Sequence, residues 1–321
     1  MEKKAGIVNR FSDTMPRGWF RLMFSEELKS EEIKRVNYFD QELIVFRTAS
    51  GTAQVSEPYC PHLGGHLGYN GKVDGEIIKC PFHGWEFDKT GFCSRIPYGN
   101  KIPPKAKLMY WPTIESNGQI LCYHDHLKND PETSPPERLL LNTETWTPLH
   151  HLSWIVKAPL NEIIEGGVDA PHLSFIHSAI DYPKCTLEIE GEKIIAYTSA
   201  NYSISPDDKK GVTVKTEMQS CGPGFVRTVI SSDKITAISE SFLTPINYNT
   251  TEVQIFLTIK KNINSIITEH IWKSYLQNFI LDFERDKLVW ETKIFLETPK
   301  LCDGDGPIMA FRKWLKQFYS S

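Results

Sequence analysis

The sequence predicts an α+β protein in two parts: a small all-β domain, then a larger domain with a sizeable antiparallel sheet flanked by helices. Three observations carry that expectation. Short β-like runs punctuated by turns fill the chain from about Arg17 to His126, a polar stretch with three prolines follows, and beyond it long alternating runs give way to a helical apolar pattern.

In the first part the runs Glu42–Arg47, Glu76–Lys79 and Gln119–Tyr123 read as strands. Ser50-Gly51, Asn70-Gly71, Asp74-Gly75 and Asn117-Gly118 read as the turns between them. The stretch from His124 to Glu137 carries Pro131, Pro135 and Pro136 and marks a boundary, giving expected domains of 1–130 and 131–321. Downstream, Asn161–Ile176 reads as helical. Alternation near Lys193–Ile204, Gly211–Gln219, Phe225–Ser231, Ile235–Leu243 and Thr251–Ile259 predicts the sheet. The apolar spacing of Ile271, Tyr275, Phe279, Leu281 and Leu288 predicts a helix within Ile263–Phe295. Phe225, Phe242 and Phe256 are candidates to line a pocket, although such residues are more often ordinary core.

Composition excludes several classes. With 321 residues, 40% hydrophobic and 24% charged, the chain can bury a full core. A net charge of −4 gives no basic field for nucleic acid. Met1 to Asn9 lacks the apolar core of a signal peptide, and no stretch reaches 18 apolar residues, so no membrane span and a cytoplasmic location are expected. Seven cysteines without an export signal argue against a disulfide framework.

Two of those cysteines stand apart. Cys60-Pro-His62-Leu-Gly-Gly-His66 and Cys80-Pro-Phe-His83-Gly-Trp85 each place a thiol and an imidazole on one loop. A Rieske [2Fe–2S] centre needs two cysteines on one iron and two histidines on the other, so two such loops facing each other could grip it through Cys60, His62, Cys80 and His83. The competing reading is a structural Cys2His2 zinc site, but zinc fingers usually pair Cys with Cys and His with His. His66 reads as a loop hydrogen-bonder.

With these motifs the sequence resembles the Rieske family. Respiratory members carry an extra cysteine in each loop. Gly65 and Phe82 occupy those positions here, and Trp85 stands where a hydroxyl donor often sits. The resemblance is therefore to the oxygenase and ferredoxin branch, with fewer hydrogen bonds to the sulfurs and a lower potential.

A ferredoxin would end near the expected boundary, whereas this chain continues into Asp169-Ala-Pro-His172-Leu-Ser-Phe-Ile-His177. Non-haem Fe(II) oxygenases hold iron with two histidines and one carboxylate, leaving the opposite face open. Asp169 and His172, three apart, are expected to share a helix face, with His177 returned by a turn.

The motif resembles the mononuclear iron site of Rieske oxygenases. The resemblance implies His172 and His177 as ligands, and Asp169 as the carboxylate linking the two centres. It also implies a third ligand on Phe283-Glu-Arg-Asp286-Lys-Leu-Val-Trp290-Glu291. Asp286 is the choice, with Asp282, Glu284 and Glu291 as competitors because helical phase is not fixed by sequence. Glu165-Gly166-Gly167-Val168 departs from the family pattern, in which an amide residue stands a turn before the bridging aspartate. Glu165 could take part of that role, or the glycines could loosen the helix.

The resemblance runs from Pro16-Arg-Gly-Trp19 through Ile96-Pro-Tyr98 and Trp290-Glu-Thr-Lys293 to Asp305-Gly-Pro307 and Phe311-Arg-Lys-Trp314. The pieces Ile96-Pro-Tyr98 and Trp290-Glu-Thr-Lys293 look most like the oxygenase component of 3-ketosteroid 9α-hydroxylase and the cholesterol 7-desaturases. The resemblance implies a helix-grip-like catalytic domain and a [2Fe–2S] cluster with one Fe(II). It further implies a ring-shaped homotrimer fed by a ferredoxin or flavin reductase, using O2 to hydroxylate or desaturate an apolar, steroid-like ring substrate. The alternatives are a Rieske-type electron-transfer or binding protein without oxygenase activity, and a zinc-stabilised interaction module.

Overall fold

The computed structural model describes residues 11–139, 141–203 and 211–319. The chain forms two compact units. One is Arg17–Glu137; the other is the chain from Arg138 onward together with the segment ending at Pro16.

The first unit is built from three small antiparallel sheets. Its turns follow from local chemistry. Asn117 (φ 50°) and Gly118 (φ 74°) both take left-handed backbone between Thr113–Ser116 and Gln119–His124, the signature of a two-residue type I′ hairpin. A four-stranded sheet of Lys72–Asp74, Ile77–Lys79, Glu86–Phe87 and Cys93–Arg95 carries the Cys80 loop between its second and third strands. Both Cys60 and Cys80 belong to the core it shares with Ile44, Phe46, Leu67, Ile78, Phe87 and Leu108.

The second unit is organised by one seven-stranded antiparallel sheet. Its strands are β1 (His150–Val156), β2 (Cys185–Glu190), β3 (Lys193–Tyr202), β4 (Val212–Cys221), β5 (Phe225–Ser231), β6 (Thr236–Asn247) and β7 (Thr250–Ile259). Their order is β1-β7-β6-β5-β4-β3-β2. The helices are α1 (Leu160–Glu165), α2 (His172–Phe175), α3 (Ser265–Thr292) and α4 (Ile308–Lys316). Asn264 caps α3, its Oδ1 accepting from Ile266 N and Ile267 N. This is the α+β architecture the sequence predicts.

Helix α3 runs along edge strand β1. His150 meets Trp272, Trp154 stacks on Phe283 at 4.1 Å and donates to Glu284, and Lys157 N donates to Glu291. The even-numbered residues of β1 therefore face α3. Register carries that face across the sheet through Leu152, Ile255, Ser241 and Val226. Phe225, Phe242 and Phe256 pair with the odd-numbered side, so the three candidate pocket phenylalanines are core on the face away from α3.

Asn161–Ile176 is not one helix. It is α1, a turn over 166–171, and the single turn of α2, with Pro171 as its N-cap. Asp169 and His172 consequently do not share a helix face. The two glycines answer to crowding. A Cβ on Gly167 would overlap Met218 Sδ, and one on Gly166 would press on the Trp290 ring at 3.3 Å.

Candidate metal centres

The two cysteine loops are built on the same frame. Cys60 N donates to Gly65 O and Gly64 N to Cys60 O; Cys80 N donates to Trp85 O and Gly84 N to Cys80 O. Gly64 (φ 72°) and Gly84 (φ 71°) supply the same left-handed step, one that a side chain would strain. Each loop thus holds its cysteine buried at a fixed place, with a half-buried histidine beside it.

The rings of His62 and His83 approach to 4.7 Å between centroids. Trp85 stacks on His62 at 4.5 Å and donates to Tyr98 Oη at 2.9 Å. Gly65 clears the space beside the second thiol, since a Cβ there would lie 3.1 Å from Cys80 Sγ. Burial pushes the Cys60 thiol up to about 12, opposed by a backbone hydrogen bond from His62 and reinforced by the neighbouring Cys80. His62 Nδ1 is buried with no hydrogen-bond partner among the described residues. Two buried thiols, two facing imidazoles and an orphaned ring nitrogen fit a [2Fe–2S] group ligated by S2N2. His66 serves the loop instead: its Nδ1 accepts from Gly68 N, and its Nε2 lies 3.4 Å from Glu42.

In the second unit, His172, His177 and Asp286 converge, with ligand atoms all within 4.8 Å of one another. Asp286 Oδ1 is 2.9 Å from His177 Nε2 and 3.9 Å from His172 Nε2. Nδ1 of His172 is bonded to the backbone carbonyl of Asp169, which turns Nε2 toward Asp286. Burial opposes charge on His177, but the adjoining carboxylates of Asp282 and Asp286 outweigh it and raise its pKa to about 9. Two imidazoles and a carboxylate meeting at one point are the donor set of a facial-triad iron.

The structure also separates the competitors of Asp286. Glu284 binds Trp154 Nε1 and Glu291 binds Lys157 N, so both are spent on β1 and the residue after it. Asp282 lies 3.2 Å from the outer nitrogen of His177, Nδ1, at ion-pair distance but off the line of a hydrogen bond. It stands behind the ring rather than beside Asp286.

Asp169 is half-buried on the turn before α2. Burial raises its pKa, against the pull of His172 and Lys293. Its backbone carbonyl, not its carboxylate, holds the His172 ring.

Glu165 is buried and already engaged. Arg312 grips it through two hydrogen bonds of 2.6 and 2.8 Å, and Lys293 pairs with buried Glu162 at 2.6 Å. These pairs fasten α1 to α4 and to the end of α3. Sequence reasoning missed α4, although Ile308, Phe311 and Leu315 recur at helical spacing behind Pro307 and are buried. The clamp had no such signal, because its partners lie far apart in sequence.

Comparison with known proteins bears on both centres. Residues 18–125 match the Rieske [2Fe-2S] domain, and residues 122–319 match the 3-Ketosteroid 9alpha-hydroxylase C-terminal domain. The chain is 30% identical to a cholesterol 7-desaturase of Hemicentrotus pulcherrimus over 332 residues, covering 95% of this chain and 70% of that protein. It is 29% identical over 318 residues to the oxygenase component of 3-ketosteroid-9-alpha-monooxygenase from Rhodococcus rhodochrous, covering 94% and 81%. Among solved structures, dicamba monooxygenase bound to dicamba superposes with a TM-score of 0.71 at 18% identity, covering 94% of this chain and 96% of that one. NdmA of Pseudomonas putida CBB5 with caffeine gives 0.70 at 19%, covering 93% and 89%.

Proposed function

Given that the chain belongs to the Rieske non-haem iron oxygenases, oxidoreductases with a [2Fe–2S] cluster and a mononuclear iron, and carries the C-terminal domain of the 3-ketosteroid 9α-hydroxylases, we propose that it hydroxylates or desaturates an apolar, steroid-like ring compound. O2 is the oxidant, and a partner ferredoxin or flavin reductase supplies the electrons. The observation that carries this reading is the convergence of His172, His177 and Asp286 in a chain that also holds the two Cys/His loops.

Cys60, Cys80, His62 and His83 would hold the cluster, and His172, His177 and Asp286 the iron. When bound, the two groups supply one-electron transfer and dioxygen chemistry. The protein's part is to position and exclude. The carbonyl of Asp169 fixes the His172 ring with Nε2 inward, and Asp286 closes the triad from α3. Three protein donors on one side leave the opposite side for substrate and dioxygen. The sheet face turned to α3, with Leu152, Val226, Ile255 and Leu257, offers an apolar wall that favours an apolar substrate and excludes water. The half-buried Asp169 is the carboxylate proposed to link this centre with the cluster of a neighbouring subunit, in a ring-shaped homotrimer.

The test is oxygen uptake by the metal-loaded protein with a reductase and a panel of ring compounds. Uptake that depends on substrate and yields a hydroxylated or unsaturated product is expected. Electron acceptance with no substrate-dependent uptake across the panel would favour an electron carrier instead.

A further inference from the structure

We infer that Tyr275 is a specificity-determining residue of this site: its buried hydroxyl receives a ketone or hydroxyl oxygen at the end of the ring substrate remote from the iron. The inference rests on the oxygenase reading above and names the substrate's polar handle.

Tyr275 and Asp286 both lie on α3, eleven residues apart. At 3.6 residues per turn that is about three turns, so the two side chains leave the helix within about 20° of each other and about 16 Å apart along its axis. Phe279 and Asp282 fall on the same stripe. This is also the stripe that carries the metal-site carboxylate, since Asp286 reaches His177 and Asp282 stands behind it.

The Tyr275 ring lies between Trp272 and Phe279, with centroids at 6.4 and 6.1 Å. Its hydroxyl oxygen is buried and has no hydrogen-bond partner among the described residues. A buried phenol normally finds one, because an unmet hydroxyl loses its bonds to water and gains nothing. His62 Nδ1 is orphaned in the same way, and it sits where the cluster belongs.

Burial alone pushes the Tyr275 phenol far above its ordinary value, so at neutral pH it keeps its proton. A neutral phenol donates one hydrogen bond and can accept another. It therefore suits a ketone, which only accepts, or an alcohol, which does both. A hydrocarbon end leaves it unpaired. A ligand spanning this stripe would be apolar along Phe279 and polar at the Tyr275 end.

The experiment compares wild type with Tyr275→Phe, which deletes the hydroxyl and keeps the ring. Equilibrium binding and KM are measured for a tetracyclic ketone, the matching alcohol and the hydrocarbon lacking that oxygen. Iron and sulfide content and the visible spectrum of both proteins are recorded. Wild type should favour the oxygenated compounds by about tenfold, the worth of one buried hydrogen bond, and the variant should bind all three alike with its metals intact. Retention of the preference in the variant, or its absence in wild type, overturns the inference while leaving the oxygenase reading standing. If wild type binds and oxidises none of the panel, the oxygenase reading fails and the inference falls with it. Thermal melting of the ligand-free proteins is a second readout. Tyr275→Phe should melt at the wild-type temperature or above it, and a clear fall would show that the hydroxyl already has a partner in the protein.

Discussion

The two metal centres are made in opposite ways. The cysteine loops are two short segments close in sequence, each closed on itself by the same pair of backbone hydrogen bonds and the same left-handed glycine. The histidine–carboxylate site takes His172 from a one-turn helix, His177 from the turn after it and Asp286 from a helix near the far end of the chain. The first is a local structure written twice. The second exists only once a seven-stranded sheet has brought α3 beside β1. A local site should be fragile at its ligands and indifferent to distant packing; an assembled site should be sensitive to both.

The largest effect expected is at the cluster. Cys80→Ser removes one of two thiols and should abolish the visible absorbance, measured on purified protein, while the second centre keeps its iron. Loss of iron from both sites would show that the centres are not independent. His172→Ala should do the reverse, leaving the visible spectrum unchanged while turnover becomes undetectable.

Packing provides the next contrast. Arg312→Ala leaves buried Glu165, among the described residues, with Lys293 at 3.9 Å as its remaining ion-pair partner, and should cost the second unit about 3 kcal/mol. Calorimetry should show the lower transition without change in the cluster's spectrum. An unshifted melting profile would mean the clamp contributes nothing.

The smallest expected effect tunes a single ligand. Asp282→Asn keeps the shape behind His177 but removes the charge facing Nδ1, and iron affinity in a chelator competition should fall about tenfold. Equal affinities would reduce Asp282 to a surface residue paired with Arg285.

This difference in construction also decides what could be read from sequence. Cys60, His62, Cys80 and His83, the set proposed for the cluster, could be read together because each loop is a local pattern. So could the α+β class, because alternation along β3 to β7 and the helical period of α3 are local patterns. The choice of Asp286 among four carboxylates could not, because it turns on where α3 settles against Trp154 and Lys157. The break at Gly166-Gly167 was visible, but its cause was not: Met218 and Trp290, which crowd the glycines, come from elements far along the chain. Tyr275 appeared only as one apolar-spaced residue of a helix, and nothing in the sequence says that its hydroxyl is left without a partner among the described residues.

The central claim is that one chain carries two chemically distinct iron centres, one local and one assembled. Iron and acid-labile sulfide counted on wild type and on Asp286→Ala test it most directly. Wild type should carry three irons per chain, two in the cluster and one at the triad, and two sulfides. The variant should carry two irons and two sulfides, with an unchanged visible spectrum. Zinc in place of iron, no sulfide, or the same iron count in both proteins would contradict it.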